Sequence, residues 1–319
     1  MKTGVIGVVL LWICWMLFLP IKPVMASENG EGESWQLVST IDGSESPSGK
    51  LQDAVALDLN SAGVLFIVDR GRNRILEFDG KGRFLKEVGG FGHGAEQFDA
   101  PNDIDAHLTI RVYVADFNND RIVQMDRYLN FMGTLTLDSD SPYSFAMPLS
   151  VAVSNQYDIF ILEDLNKRVV KIDRFGNPRV AFGDASDNLG QLLSPRQMAL
   201  NRSGEIFVSD AGRNEVVVFD YLGNYIRTIR HPDFQQIRGV AVSLQETLTV
   251  TDVEERSVFF FGKGKFFRGK LHRNEPDFIP RDAALWDPVQ GTPAILYVLT
   301  PGKCLIFKKG KEEREDRKE

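Results

Sequence analysis

Apolar residues in this chain recur in short runs rather than in helical stripes. The triplets Phe66-Ile67-Val68, Tyr113-Val114-Ala115, Phe160-Ile161-Leu162, Phe207-Val208-Ser209 and Thr249-Val250-Thr251 are each closed by an acid, at Asp69, Asp116, Glu163, Asp210 and Asp252. These acids are 47, 47, 47 and 42 residues apart, and a sixth triplet, Tyr297-Val298-Leu299, ends 48 further on at Thr300, where the acid is lost. Self-similarity at such a period marks a repeat architecture. Six residues after each acid a second apolar run begins, at Ile75, Ile122, Val169, Val216 and Val258, with its sixth copy at Cys304. Turns then follow, such as Asp79-Gly80-Lys81-Gly82, Asp173-Arg174-Phe175-Gly176-Asn177 and Asp220-Tyr221-Leu222-Gly223-Asn224. Their Gly and Asn residues supply the positive φ that tight hairpins need.

A third short strand follows each turn, and a fourth precedes each acid, led by proline at Pro101, Pro148, Pro195 and Pro280. Four short strands per copy, six times over, predict an all-β, six-bladed β-propeller spanning 35–309. Runs that are apolar throughout fit blades covered on both faces. The last copy has no strand after Phe307, while Trp35 to Ile41 supplies a spare one at the other end. The expected arrangement is therefore a ring closed by the N-terminal strand, which leaves no sheet edge open.

The ends of the chain read differently. Residues 1–26 combine Lys2, an apolar stretch from Val5 to Leu19 and the small-residue pattern Val24-Met25-Ala26, which reads as a secretory signal peptide cut after Ala26. A retained membrane anchor is the alternative. Ile13 before Cys14 does not suit lipoprotein processing. Residues 27–34 form a polar lead-in and 310–319 a charged tail expected to be disordered. The expected location is secreted or periplasmic, with no stable membrane insertion once the leader is gone.

Composition sharpens this picture. The chain has 319 residues, 25% of them charged, and a formal charge of −7. Cleavage after Ala26 would remove Lys2 and Lys22 and make it −9, so a nucleic-acid partner is not expected. Cleavage would also leave Cys304 as the single thiol, in the apolar run Cys304-Leu305-Ile306-Phe307, where buried and inert is the expected state.

The second copy, from Pro101-Asn102-Asp103-Ile104-Asp105 through Val112-Tyr113-Val114-Ala115-Asp116 to Arg121-Ile122-Val123, resembles the NHL repeat. So do the preceding linker Gly89-Gly90-Phe91-Gly92-His93-Gly94 and the fourth-copy segment Gly204 to Asn214. The resemblance implies a six-bladed propeller and leaves function open, because such propellers bind proteins, bind RNA and in a few cases catalyse reactions.

Alignment of the copies defines two columns at the start of the innermost strands. The first holds Asp53, Asn102, Leu149, Arg196, Arg238 and Arg281; the second holds Ala54, Asp103, Ser150, Gln197, Gly239 and Asp282. Arg196, Arg238 and Arg281, with Asn102, Asp103, Asp53 and Asp282, are thus the candidate ligand-binding residues of the central mouth. Guanidinium forks suit carboxylate or phosphate. The competing role is structural, each Arg pairing with Asp53, Asp103 or Asp282 to brace the ring. The repeated acids are expected to cap turn N–H groups and to pair with Arg74, Arg121 and Arg168, five residues on.

Catalytic sets are scarce. Zinc lyases of this fold gather several histidines, whereas His93, His107, His231 and His272 are expected in linkers or hairpin turns, none of them axial. A lactonase-like propeller would hold calcium on oxygens that Asp53, Asn102, Asp103 and Asp282 could supply, against the opposition of the arginines. Nucleophile-elbow, HExxH, CxxC and phosphate-loop motifs are absent. Asn201-Arg202-Ser203 is a glycosylation sequon on a hairpin turn. The expectation is an exported, non-catalytic binding propeller for a protein partner or small anion, with no cofactor. A calcium-dependent lactonase, hydrolase or lyase is the alternative.

Overall fold

The computed structural model describes residues 35–108, 110–264, 266–287 and 293–310, so the signal-peptide, lead-in and most of the tail expectations lie outside the described residues. Twenty-four strands form six four-stranded antiparallel sheets arranged as the blades of a propeller. Blade one runs Ala54–Leu59, Leu65–Asp69, Arg74–Phe78 and Phe84–Gly89, from the axis outward, and blades two to five repeat this order. Among the described residues no helix is long and apolar enough to cross a membrane.

Ring closure is as expected. Trp35–Ile41 pairs antiparallel with Lys303–Lys309, so blade six is built from both ends of the described chain. Trp35 stacks on Phe260 of blade five at 5.5 Å, which ties the closing strand sideways as well.

Middle strands are buried along their whole length, as in Leu65–Asp69 and Ile206–Asp210, because each blade is sandwiched between its neighbours. Aromatic and branched side chains fill those interfaces; Phe66, for example, packs with Val55 of its own blade and Ile104 of the next. Outer strands such as Tyr225–Ile229 are largely part-exposed, with Ile229 the buried residue of that strand.

The innermost strands carry the site, and they start irregularly. Pairing register shifts between Ala54 and Ala56, Pro101 and Asp103, Pro148 and Ser150, Pro195 and Met198, and Ile237 and Val240. A bulge re-aims side chains locally. In blades two to five it falls on the two aligned columns, sending one toward the mouth and the next toward the axis. In blade one Ala54 pairs with Asp69 as Pro101 does with Asp116, so Val55 and Ala56, not Asp53 and Ala54, hold those positions. Blade six differs: its inner strand is Asp282–Trp286, starting two residues after Pro280, and it pairs in register.

Candidate functional site

The repeated acids set the floor plan. Asp69 accepts the N–H groups of Gln52 and Asp53, Asp116 that of Asp99, Asp210 those of Leu193 and Ser194, and Asp252 those of Gln235 and Gln236. Each of these four acids thus holds the loop leading into its own blade's innermost strand, a tie that loop-forming backbone needs when buried, whereas Glu163 accepts from the Asn166 N–H of the turn that follows it. Arg74, Arg121 and Arg168 pair with Asp69, Asp116 and Glu163 at 2.8 to 2.9 Å.

On this frame the first aligned column forms a mouth of about 210 Å³, lined by Arg196, Arg238, Arg281 and Asn102 together with Arg70, Phe117 and Asp164. Arg70, Phe117 and Asp164 each follow a repeated acid, on the loop between second and third strands, and sequence reasoning missed them. Their common spacing of 47 residues was the available signal.

The arginines of this mouth are not equivalent. Arg281 forms an ion pair with Asp53, joining blade six to blade one, so here the bracing role holds. Arg70 binds the same carboxylate at 2.8 Å and reaches Asn102 Oδ1 at 3.4 Å. Burial alone would raise the Asp53 pKa, but hydrogen bonds and charge from Arg70 and Arg281 outweigh it and leave the carboxyl below its usual range. Asn102 in turn donates to the Leu149 carbonyl at 2.6 Å.

Arg238 differs: no acid pairs with it among the described residues. Burial, then the charges of Arg281, Arg70 and Arg196, lower its pKa to about 10. It still carries its charge at neutral pH, in a place that repels it. Gly239 is what brings it there. A Cβ on Gly239 would sit 2.8 Å from the Arg281 carbonyl oxygen, so only glycine lets blade five approach blade six this closely. Four guanidinium groups therefore line one small mouth in which Asp164 is the lining carboxylate, while Asp53 lies outside that lining and is held by Arg70 and Arg281.

Asp103 and Asp282 do not join that mouth. They belong to the second column, one layer down the axis, where both are buried. Gln197 Nε2 donates to Asp103 Oδ1 at 3.1 Å and to Asp282 Oδ2 at 3.0 Å, while Gln197 Oε1 accepts from Val240 N–H at 2.9 Å. Asp282 also accepts from Leu57 N–H, and Asp103 from Val151 N–H and Ser150 Oγ. Every blade contributes to this polar hub. Below it opens a second cavity of about 320 Å³ on the opposite face, lined in part by Asp58, Asp105, Leu108, Asn201 and Trp286.

His107 lines that lower cavity, which corrects the expectation that no histidine approaches the axis. Its Nδ1 lies 2.7 Å from Asp105. Burial opposes its protonation, but the charge and hydrogen bond of Asp105 win and raise its pKa to about 9. His272 ends an outer strand rather than lying in a linker or turn.

The calcium alternative can be tested against these contacts. Asp53 and Asn102 present their oxygens to guanidinium groups, and Asp103 and Asp282 to amide and hydroxyl donors, so the set does not fit a divalent cation. Among the described residues no three His, Cys, Asp or Glu side chains converge in a manner suited to a metal ion.

A family model described as a 6-bladed beta-propeller matches residues 58–198. No curated protein matches the sequence. Among solved structures, the chain is similar to virginiamycin B lyase from Staphylococcus aureus, with 11% identity and a TM-score of 0.58 over 86% of this chain and 99% of that one. It is similar to a streptogramin B lyase structure, with 12% identity and a TM-score of 0.58 over 89% and 100%. A chain of a nidogen/laminin complex gives 16% identity and a TM-score of 0.57 over 70% and 81%. At such identities the likeness is one of fold, and it agrees with the strands: this chain is a six-bladed β-propeller.

Proposed function

We propose that this chain is an exported binding platform whose arginine mouth holds a carboxylate or phosphate, carried by a small molecule or by an acidic loop of a partner protein. One observation carries the reading: Arg238 has no ion-pair partner among the described residues, three other guanidinium groups oppose its charge, and the deeper Asp282 offsets them only in part. A fold that needed only bracing would place an acid there, as it does beside Arg281. A charge opposed on balance in this way is a cost to stability that a bound anion removes, and such sites are where function concentrates. The nidogen/laminin complex illustrates a propeller of this shape in a protein assembly; the lyases illustrate chemistry on the same scaffold.

The test is thermal unfolding with phosphate or a dicarboxylate against chloride at matched ionic strength. Phosphate is expected to raise the melting temperature of the native chain through preferential binding to the folded state. Arg238→Gln with Arg196→Gln should abolish that rise while leaving the anion-free melting temperature unchanged or higher. A collapse of the anion-free value would instead make Arg238 a brace and sink the reading. Two sources of the anion are separable: a small-molecule site saturates with phosphate alone, whereas an acidic peptide loop competes phosphate off with much higher affinity.

A further inference from the structure

The face opposite the arginine mouth carries side chains that the fold does not require. In an antiparallel blade, the turn between the first two strands and the turn between the last two lie at the same end, away from that mouth. At the tip of the outer turn stand Tyr128, Phe175 and Leu222, 47 residues apart in blades two to four, and in blade five Phe266 stands two positions past the tip, where the turn closes. Their exposures are 55%, 73%, 68% and 64%. The inner turns add exposed Ile110, Tyr157 and Leu244.

Nothing in the turns calls for apolar tips. Asp126, Asp173 and Asp220 each accept N–H groups from the residues two and four positions on, which closes the turn whatever side chain stands at its apex. In blade one the apex is Lys81, and it serves equally well. Four blades nevertheless present a large apolar group to solvent. Cations accompany them: the Arg127 guanidinium lies 4.6 Å from the Tyr128 ring centroid, and that of Arg174 4.8 Å from Phe175. Lys81 and Lys263 stand in the turns of blades one and five.

We propose that this face docks on a lipid surface, its apolar tips entering the interfacial zone of the bilayer while Lys81, Arg127, Arg174 and Lys263 meet anionic headgroups. The tips are separate points on a rigid ring, with polar turn backbone between them. A bilayer interface receives such points anywhere, whereas a protein partner would need a matching pocket for each. Aromatic and aliphatic groups beside Arg and Lys are the chemistry of interfacial binding. The Asp126, Asp173 and Asp220 carboxylates keep their charge but are buried or half-buried, held inward by turn N–H groups, whereas Lys81, Arg127, Arg174 and Lys263 are exposed, so headgroups meet the cations first. This is peripheral docking, and it turns the arginine mouth away from the bilayer.

Nitroxide labels test it in the full chain carrying Cys14→Ser. Cys304 is fully buried, and burial pushes its thiol pKa up, so it stays unlabelled. Labels are placed at Phe175→Cys and Leu222→Cys, with Leu193→Cys on the arginine face as control. With vesicles of phosphatidylcholine and phosphatidylglycerol, labels at 175 and 222 should become more accessible to oxygen than to a water-soluble nickel complex, and the label at 193 should not. The readout identifies the face that touches lipid, whatever else holds the chain there. In a Phe175→Ser, Leu222→Ser background, a label at Tyr128→Cys should lose about tenfold or more of its lipid-immersed fraction. Labels at 175 and 222 that stay aqueous beside vesicles overturn the proposal. So does immobilisation of those labels without vesicles, which would assign the face to a second copy of the chain, and so does lipid contact at 193.

Discussion

Arg74 and Arg238 show how far one side-chain type can be pushed by its surroundings. Arg74 is buried and donates to Asp69, Ser46 and Glu87 and to the carbonyls of Gly49 and Lys50, at 2.6 to 3.1 Å. Its whole fork is used, and the loop leading into blade one hangs from it. Arg74→Met keeps the stem but leaves the Asp69 carboxylate buried without its counter-charge. The expected cost is about 3 kcal/mol or more, read from urea unfolding. Arg121 and Arg168 sit in the same place in the next blades with more exposed side chains, so the equivalent substitutions should cost less. The five-residue spacing from acid to arginine made these pairs legible in the sequence, because both partners lie on one hairpin. Arg281 and Arg238 looked alike there. What separates them is Asp53, more than two hundred positions away, and its reach across the ring seam is a property of the closed propeller.

At the scale of strands, closure by Trp35–Ile41 has a built-in reporter. Ile41 is paired with Cys304, whose side chain has no exposure. A thiol in that position reacts only when the closing strand leaves or the blade opens. Removing residues 1–41 should raise the rate at which Cys304 reacts with a thiol reagent by about a hundredfold or more and expose the edge of blade six. Equal rates in the full and shortened chains would mean that blade six stands without its fourth strand. Strand number, order and closure were all readable from spacing, since a repeat period and one displaced strand leave few topologies. The inner strands were harder. Adjacent residues at their starts face different ways because side chains alternate along a strand, and in blades one to five register shifts, which have no spacing signature, add to the effect. That is why Asp103 and Asp282 were grouped with the arginines, and why His107, in a turn two residues past Asp105, was not placed at the axis.

For the molecule as a whole, the hub around Gln197 is where six separately packed sheets become one object. Gln197 of blade four ties Asp103 of blade two to Asp282 of blade six and holds Val240 of blade five, while those acids hold blades three and one. Burial raises the pKa of Asp103 well above the ordinary carboxylate value of 3.8, and the charge of Asp282 adds to it; hydrogen bonds from Ser150, Gln197 and Val151 oppose the rise without cancelling it. Asp282 is raised as well, again chiefly by burial. A carboxyl that keeps its proton in the fold but loses it on unfolding contributes most below pH 3.8, and its contribution declines as pH climbs toward the folded value. Other acids, such as Asp53 with its lowered pKa, work in the opposite direction, so the effect is isolated by difference. Asp103→Asn removes the titration: Oδ1 accepts from Gln197 and Nδ2 donates to Ser150, while the bond from Val151 N–H is lost, an offset that does not depend on pH. The stability of the native chain relative to this variant should fall as pH rises from about 4, by at most about 1.4 kcal/mol per pH unit. Parallel curves from paired urea titrations would show instead that Asp103 is ionised in the hub, with its charge carried by the three donors. In the predicted case, the proton lies directly beneath the arginine mouth. An anion bound at Arg238 would then reinforce protonation of the hub, while a lower pH would strengthen the ring that presents the mouth.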